Sequence, residues 1–116
     1  MAQHRQDVRS DLESAWHREV CDIARSLGWA YYHTVNPRKS NAGFPDLVLV
    51  RERIIFAELK REKGGRVSEA QQDWFDLLTL AGAECYIWKP SDRDMVDRVL
   101  SVRVVSDPRK PLKGTE

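Results

Sequence analysis

The stretch from Gly43 to Lys60, "GFPDLVLVRERIIFAELK", constrains this chain more than any other. Two short apolar runs, "PDLVLV" and "IIFAELK", flank the link "RER". Runs of this length, rich in β-branched and aromatic residues, read as strands, and so short a link between them reads as a hairpin. The hairpin carries Asp46 at one end and Glu58 and Lys60 at the other. With a turn centred near residue 52, positions 46 and 58 are equally distant from it, so both carboxylates reach the same end of the sheet. Side chains alternate across a strand, so Glu58 and Lys60 share a face while Leu59 points the other way, into a core.

Two neighbouring carboxylates repel, and burying them is costly unless something neutralises them. A hard divalent cation does so: Mg²⁺ prefers oxygen ligands, commonly one or two carboxylates completed by waters and substrate phosphates. An ion held this way activates water against a phosphodiester, and Lys60 stands where it can orient that water or counter developing negative charge. A strand-end ion-pair cluster explains any one of these residues alone, and Asp after Pro is common in turns. The whole pattern, PD, then eleven residues, then ELK, favours the metal site.

The rest of the chain supplies a frame. "DLESAWHREVCDIARSLG" places Leu12, Trp16, Val20, Ile23 and Leu27 at spacings of four and three, predicting a helix stopped by Gly28. "WAYYHTV" reads as an aromatic strand, "NPRKSNAG" as a loop, and "KGGR" (63–66) as a flexible basic loop. Ser68 and Gln71 form a capping box that opens a second helix, in which Ala70, Trp74, Leu77, Leu78 and Ala81 predict a buried stripe ending at Gly82. "ECYIWKP" reads as a strand. Ser91 is expected to cap a short last helix, and "VRVV" an added edge strand. The order α-β-β-β-α-β-α predicts an α/β fold with a mixed central sheet flanked by helices.

At 116 residues this is one domain. Residues 11–106 are expected to form it, with flexible ends at 1–10 and 107–116. No apolar run approaches the roughly 20 residues that span a bilayer, and the N-terminus is too polar for a signal peptide. Cys21 and Cys85 are far apart and lack ligand spacing, so neither disulfide nor zinc is expected, and the protein reads as cytoplasmic. The net charge of +1 conceals an asymmetry. Residues 33–66 hold eight Lys/Arg against four Asp/Glu, a net of +4, and residues 67–101 hold three against seven, a net of −4. One half is suited to a polyanion and the other to water, although both are also compatible with plain solvated faces.

The set "ESAWHREV", "LGWAYYH", "GFPDLVLV", "FAELK", "SEAQQDW" and "AGAECYIWKP" resembles the VRR-Nuc family of the PD-(D/E)xK nuclease superfamily, over about eighty residues. The resemblance implies a restriction-endonuclease-like α-β-β-β-α-β core and hydrolysis of DNA phosphodiesters with Mg²⁺ or Mn²⁺. It implies Asp46 and Glu58 as metal-binding carboxylates, the carbonyl of Leu59 as a further ligand, Lys60 as the catalytic lysine and Gln71 as the helix glutamine. It also implies an acidic residue on the first helix that completes the site. Glu13 matches that residue, and at about 100° per residue it lies some 20° from Val20, at the edge of the apolar stripe. Glu19, on the opposite edge, stays open as the alternative. His17, one turn after Glu13, stands where related sequences often carry Gln and reads as a partly buried histidine or a substrate contact. Arg38, Lys39, Lys63 and Arg66, in loops beside the site, are the expected phosphate contacts, with Tyr31, Tyr32 and His33 available to stack on or bind DNA. Small stand-alone members of this kind resemble phage-type enzymes that act on branched DNA such as four-way (Holliday) junctions, which implies a homodimer because two strands must be cut. A nuclease for flap, nicked or linear duplex DNA is the alternative, as is a DNA-binding module that no longer cleaves.

Overall fold

The computed structural model describes residues 3–34 and 42–104, with side chains of the first helix described from residue 14 onward. Helix α1 spans Gln3–Ser26, β1 Ala30–His33, β2 Leu47–Val50, β3 Ile54–Leu59, α2 Glu69–Leu80 and β4 Glu84–Trp88. A single turn of 3₁₀ helix, Pro90–Asp92, leads into α3, Arg93–Ser101. The strands lie in the order β1-β2-β3-β4. The first three pair antiparallel, and β4 pairs parallel to β3 after α2 has carried the chain across. This is the mixed sheet flanked by helices that the sequence predicts. Among the described residues no helix is long and apolar enough to cross a membrane.

One face of the sheet makes the core. Leu47 and Leu49 of β2, Ile55, Ala57 and Leu59 of β3, and Trp88 of β4 are buried against Trp16, Val20, Cys21 and Ala24 of α1 and against Val96 and Leu100 of α3. Two indole N–H groups in this layer donate to backbone carbonyls, Trp16 to Trp88 at 3.1 Å and Trp29 to Leu100 at 3.0 Å. Helix α1 ends at Gly28 as expected, by a Schellman closure: the Trp29 amide donates to Ala24 and the Gly28 amide to Arg25, with Gly28 at a φ of 87°. Cys21 is buried and Cys85 half-buried, and both are free thiols.

Four local expectations change. Ser91 does not cap the last helix: it lies inside the 3₁₀ turn Pro90–Asp92, and Asp92 is the N-cap residue of α3. Helix α1 starts at Gln3 rather than near residue 11. Residues 102–104 of "VRVV" form no strand: the Val102 carbonyl accepts from Arg51 and Arg53 at 2.9 and 2.8 Å, and the Val104 amide donates to Glu52 at 2.8 Å, so side chains take the bonds a strand would need. The α2 stripe is half-buried at best. Phe44 links α2 to the sheet through edge contacts with Trp74 at 5.1 Å and Phe56 at 5.9 Å, but within the stripe Leu77 is 58% exposed and Ala81 is exposed too. The helix covers only part of the second sheet face.

Candidate active site

The hairpin register decides where the acids go. Leu47 lies opposite Ala57, and extending that pairing by one residue puts Asp46 opposite Glu58 at the open end of β2 and β3. The "PD" end is pinned by backbone: the Thr34 amide donates to the Asp46 carbonyl at 2.8 Å, and the Thr34 hydroxyl donates to the Pro45 carbonyl. The Asp46 carboxylate accepts the Leu59 amide at 2.9 Å, which aims it across the strand end toward Glu58.

Glu58 is 5% exposed. Its Oε2 accepts from Gln71 Nε2 at 2.7 Å and faces Lys60 Nζ at 3.2 Å, while its Oε1 is buried and accepts no hydrogen bond. Burial, then the negative charge of Asp46, push the Glu58 carboxyl up to about 7, and Lys60 opposes that rise. Lys60 Nζ donates to Gln71 Oε1 at 2.7 Å. Gln71 therefore has two roles. Its side-chain Oε1 also accepts the Ser68 backbone amide at 2.8 Å, while its backbone amide donates to the Ser68 hydroxyl at 3.1 Å, completing the capping box of α2. The cap fixes the rotamer, and the fixed rotamer joins acid to ammonium.

These groups line a cleft of about 370 Å³ with His17, Arg61, Gly64, Gly65 and Arg66. The glycines show how the walls come so close. Gly43, at a φ of 89°, leaves no room for a side chain: a Cβ there would lie 2.4 Å from the Ala70 backbone, in the first turn of α2. A Cβ on Gly65 would lie 2.6 Å from the Arg61 carbonyl, where the basic loop folds back over the strand end.

Asp46, Glu58, Leu59, Lys60 and Gln71 are thus brought together, with Arg66 at the rim. Lys63 is exposed and does not line the cleft. His33 does not line it either, and stacks behind His17 with ring centroids 6.0 Å apart. Arg38 and Lys39 lie outside the described residues, as does the side chain of Glu13, whose backbone is within α1. Glu19 is ion-paired with Arg93 of α3 and is absent from the cleft. Arg61 was not expected there. Its only signal was adjacency to Lys60 and the Gly-Gly pair that lets the loop turn back. Arg51 and Arg53, counted in the basic half of the sequence, are spent on internal carbonyls.

A buried carboxylate oxygen without a donor, beside a second carboxylate, suits a divalent cation. Among the described residues no three acidic, imidazole or thiol groups are already gathered into a closed ligand set.

The model of the VRR-NUC domain matches residues 4–90. The chain belongs to the VRR-NUC domain family. This VRR-NUC chain is also similar to a solved structure described as a VRR_NUC domain, at 20% identity and a TM-score of 0.63, covering 76% of this chain and 92% of that one. A second, a VRR_NUC domain protein, is 16% identical with a TM-score of 0.55, covering 73% and 84%. A third is Hjc, a Holliday junction resolvase from Archaeoglobus fulgidus, at 18% identity and a TM-score of 0.47, covering 63% and 64%. No curated protein sequence matches. As a VRR-NUC chain the protein has the fold of a nuclease family, and the fold class expected from the sequence is borne out.

Proposed function

We propose that this chain is a Mg²⁺- or Mn²⁺-dependent endonuclease that hydrolyses DNA phosphodiesters, acting as a homodimer on branched DNA such as four-way junctions. The observation that carries the reading is the convergence of Asp46, Glu58 and Lys60 in one cleft, with a buried Glu58 oxygen left unsatisfied. A site built only to bind DNA gains nothing from buried acids that repel phosphate. Asp46, Glu58 and the Leu59 carbonyl would hold the cation, with Glu13 as the expected fourth group. Such an ion supplies Lewis-acid polarisation of the scissile phosphate. The Lys60 ammonium, locked by Gln71 and Glu58, orients the attacking water and counters charge on the phosphate as the P–O bond to water forms and the leaving oxygen departs. Arg61 and Arg66 at the rim hold neighbouring phosphates, contacts that position the strand without reading its sequence. Resolving a junction takes two cuts, and pairing with a second copy supplies a second such cleft.

The test is cleavage of labelled junction, flap and linear duplex in Mg²⁺, Mn²⁺ or EDTA by wild type, Asp46→Asn and Lys60→Ala. Metal-dependent cutting is expected, strongest on junction, with losses of at least about a hundredfold in both variants. Undiminished cutting in either variant rejects the site assignment. Binding without cutting under every metal condition leaves a DNA-binding module.

A further inference from the structure

His17 is the cleft residue whose chemistry differs most from its neighbours. It projects from α1 with 27% of its side chain exposed, and its Nε2 stands 3.9 Å from Asp46 Oδ2. Its ring lies nearly parallel to that of His33, which is itself placed by the edge of Tyr31 at 5.5 Å and by Cys21 Sγ at 3.5 Å from its Nε2. The His33 ring thus backs one face of the imidazole, and the His17 Nε2 faces Asp46. The separation is too long for a hydrogen bond. Glu58, which lines the same cleft, keeps a buried Oε1 that accepts no hydrogen bond.

We propose that His17 is a nitrogen ligand to the divalent cation held by Asp46 and Glu58, and that it biases this site toward Mn²⁺ over Mg²⁺. The inference rests on the metal-dependent reading above. Adjacent ligand atoms in an octahedral sphere with bonds of about 2.1 Å lie about 3 Å apart. His17 Nε2 and Asp46 Oδ2, 3.9 Å apart, exceed that spacing by about 0.9 Å. Mg²⁺ favours oxygen donors and gains little from an imidazole, whereas later first-row ions accept one readily. An imidazole in place of an oxygen donor thus shifts selectivity without altering the acids that supply the charge.

The experiment uses the full chain and the ions themselves. Mn²⁺ and Mg²⁺ are titrated calorimetrically into wild type, His17→Ala, His17→Gln and His33→Gln, with circular dichroism confirming the fold of each. Electron spin-echo modulation of bound Mn²⁺ reads any directly coordinated imidazole nitrogen. Wild type and His33→Gln are expected to show that nitrogen, and both His17 variants to lack it. Mn²⁺ binding should weaken by at least about tenfold in His17→Ala, with Mg²⁺ affected less, and His17→Gln should move the preference back toward Mg²⁺. A wild-type Mn²⁺ complex without the nitrogen signal overturns the proposal, as does unchanged Mn²⁺ affinity in His17→Ala. If DNA affinity alone falls in His17→Ala, the residue is a phosphate contact and the proposal is wrong, while the metal site stands. Wild type that binds neither ion removes the metal-dependent reading itself, so the two failures are distinguishable.

Discussion

Glu58 is a carboxylate whose proton reports on the site. Burial and then the Asp46 charge push its carboxyl up to about 7, above its ordinary value of 4.5. Between those values the native state holds a proton that the unfolded chain has lost, so stability falls as pH rises through that window. Glu52 acts in the opposite sense and elsewhere: Arg51 holds its carboxyl well below the ordinary range, so its contribution is present above 4.5 and is lost on acidification. In EDTA, the melting temperature is expected to decline from about pH 5 to about pH 7.5. Glu58→Gln should flatten that decline, and added Mn²⁺ should raise the wild-type melting temperature at pH 7.5 by binding the ionised form. An identical slope in Glu58→Gln would place elsewhere the proton whose loss destabilises the fold. Asp46, Glu58 and Lys60 were legible in the sequence because strand alternation and a hairpin centre fix both face and level. Gln71 was legible as a cap, and both its roles hold in one rotamer. The places of His17 and Arg61 were not, since they depend on how a helix packs and how a loop folds back, which no local period encodes.

At the scale of elements, the site depends on α2 standing close to the hairpin. Gly43 sets that distance, because its missing Cβ admits the Ala70 backbone and its positive φ turns the chain into "FPD". Gly43→Ala should therefore cost about 1–3 kcal/mol of stability from backbone strain alone. It should also push the first turn of α2 outward, carrying Gln71 away from Glu58 and Lys60, with cleavage falling more than stability does. Urea unfolding and cleavage rates on the same preparations measure both, and normal activity in a destabilised variant would mean that α2 is not what positions Gln71. The boundaries of α2 could be read from Ser68, Gln71 and Gly82, because caps are local chemistry. Its exposure could not: an apolar stripe says which side faces inward, not how much sheet lies beneath it, and Leu77 and Ala81 of that stripe are exposed.

For the molecule as a whole, the "RER" link is a tie as well as a turn. Arg51, with 8% of its side chain exposed, donates to the carbonyls of Leu27, Leu100 and Val102 at 2.9 Å each, joining the hairpin to the C-terminal ends of α1 and α3. Its guanidinium lies 4.5 Å from the Trp29 ring centroid, and Arg53 adds bonds to Val99 and Val102 and lies 5.1 Å from the same ring. Helix C-termini favour cations, and a guanidinium spreads five donors over a rigid planar fork where an ammonium gathers three on one compact point. Arg51→Met keeps the stem but removes the side-chain donor to the part-buried Leu27 carbonyl, while Leu100 keeps Trp29 and Val102 keeps Arg53, at an expected cost of about 1–3 kcal/mol; Arg51→Lys should recover only part of it. The tie sits at the opposite end of the hairpin from Asp46 and Glu58. Mn²⁺ binding by the folded variant should therefore match wild type at a temperature well below its melting point, while the urea midpoint falls with little change in slope. A matching loss of metal affinity would show that the two ends of the hairpin are coupled, and that the core between them does not hold the site independently of its far anchor.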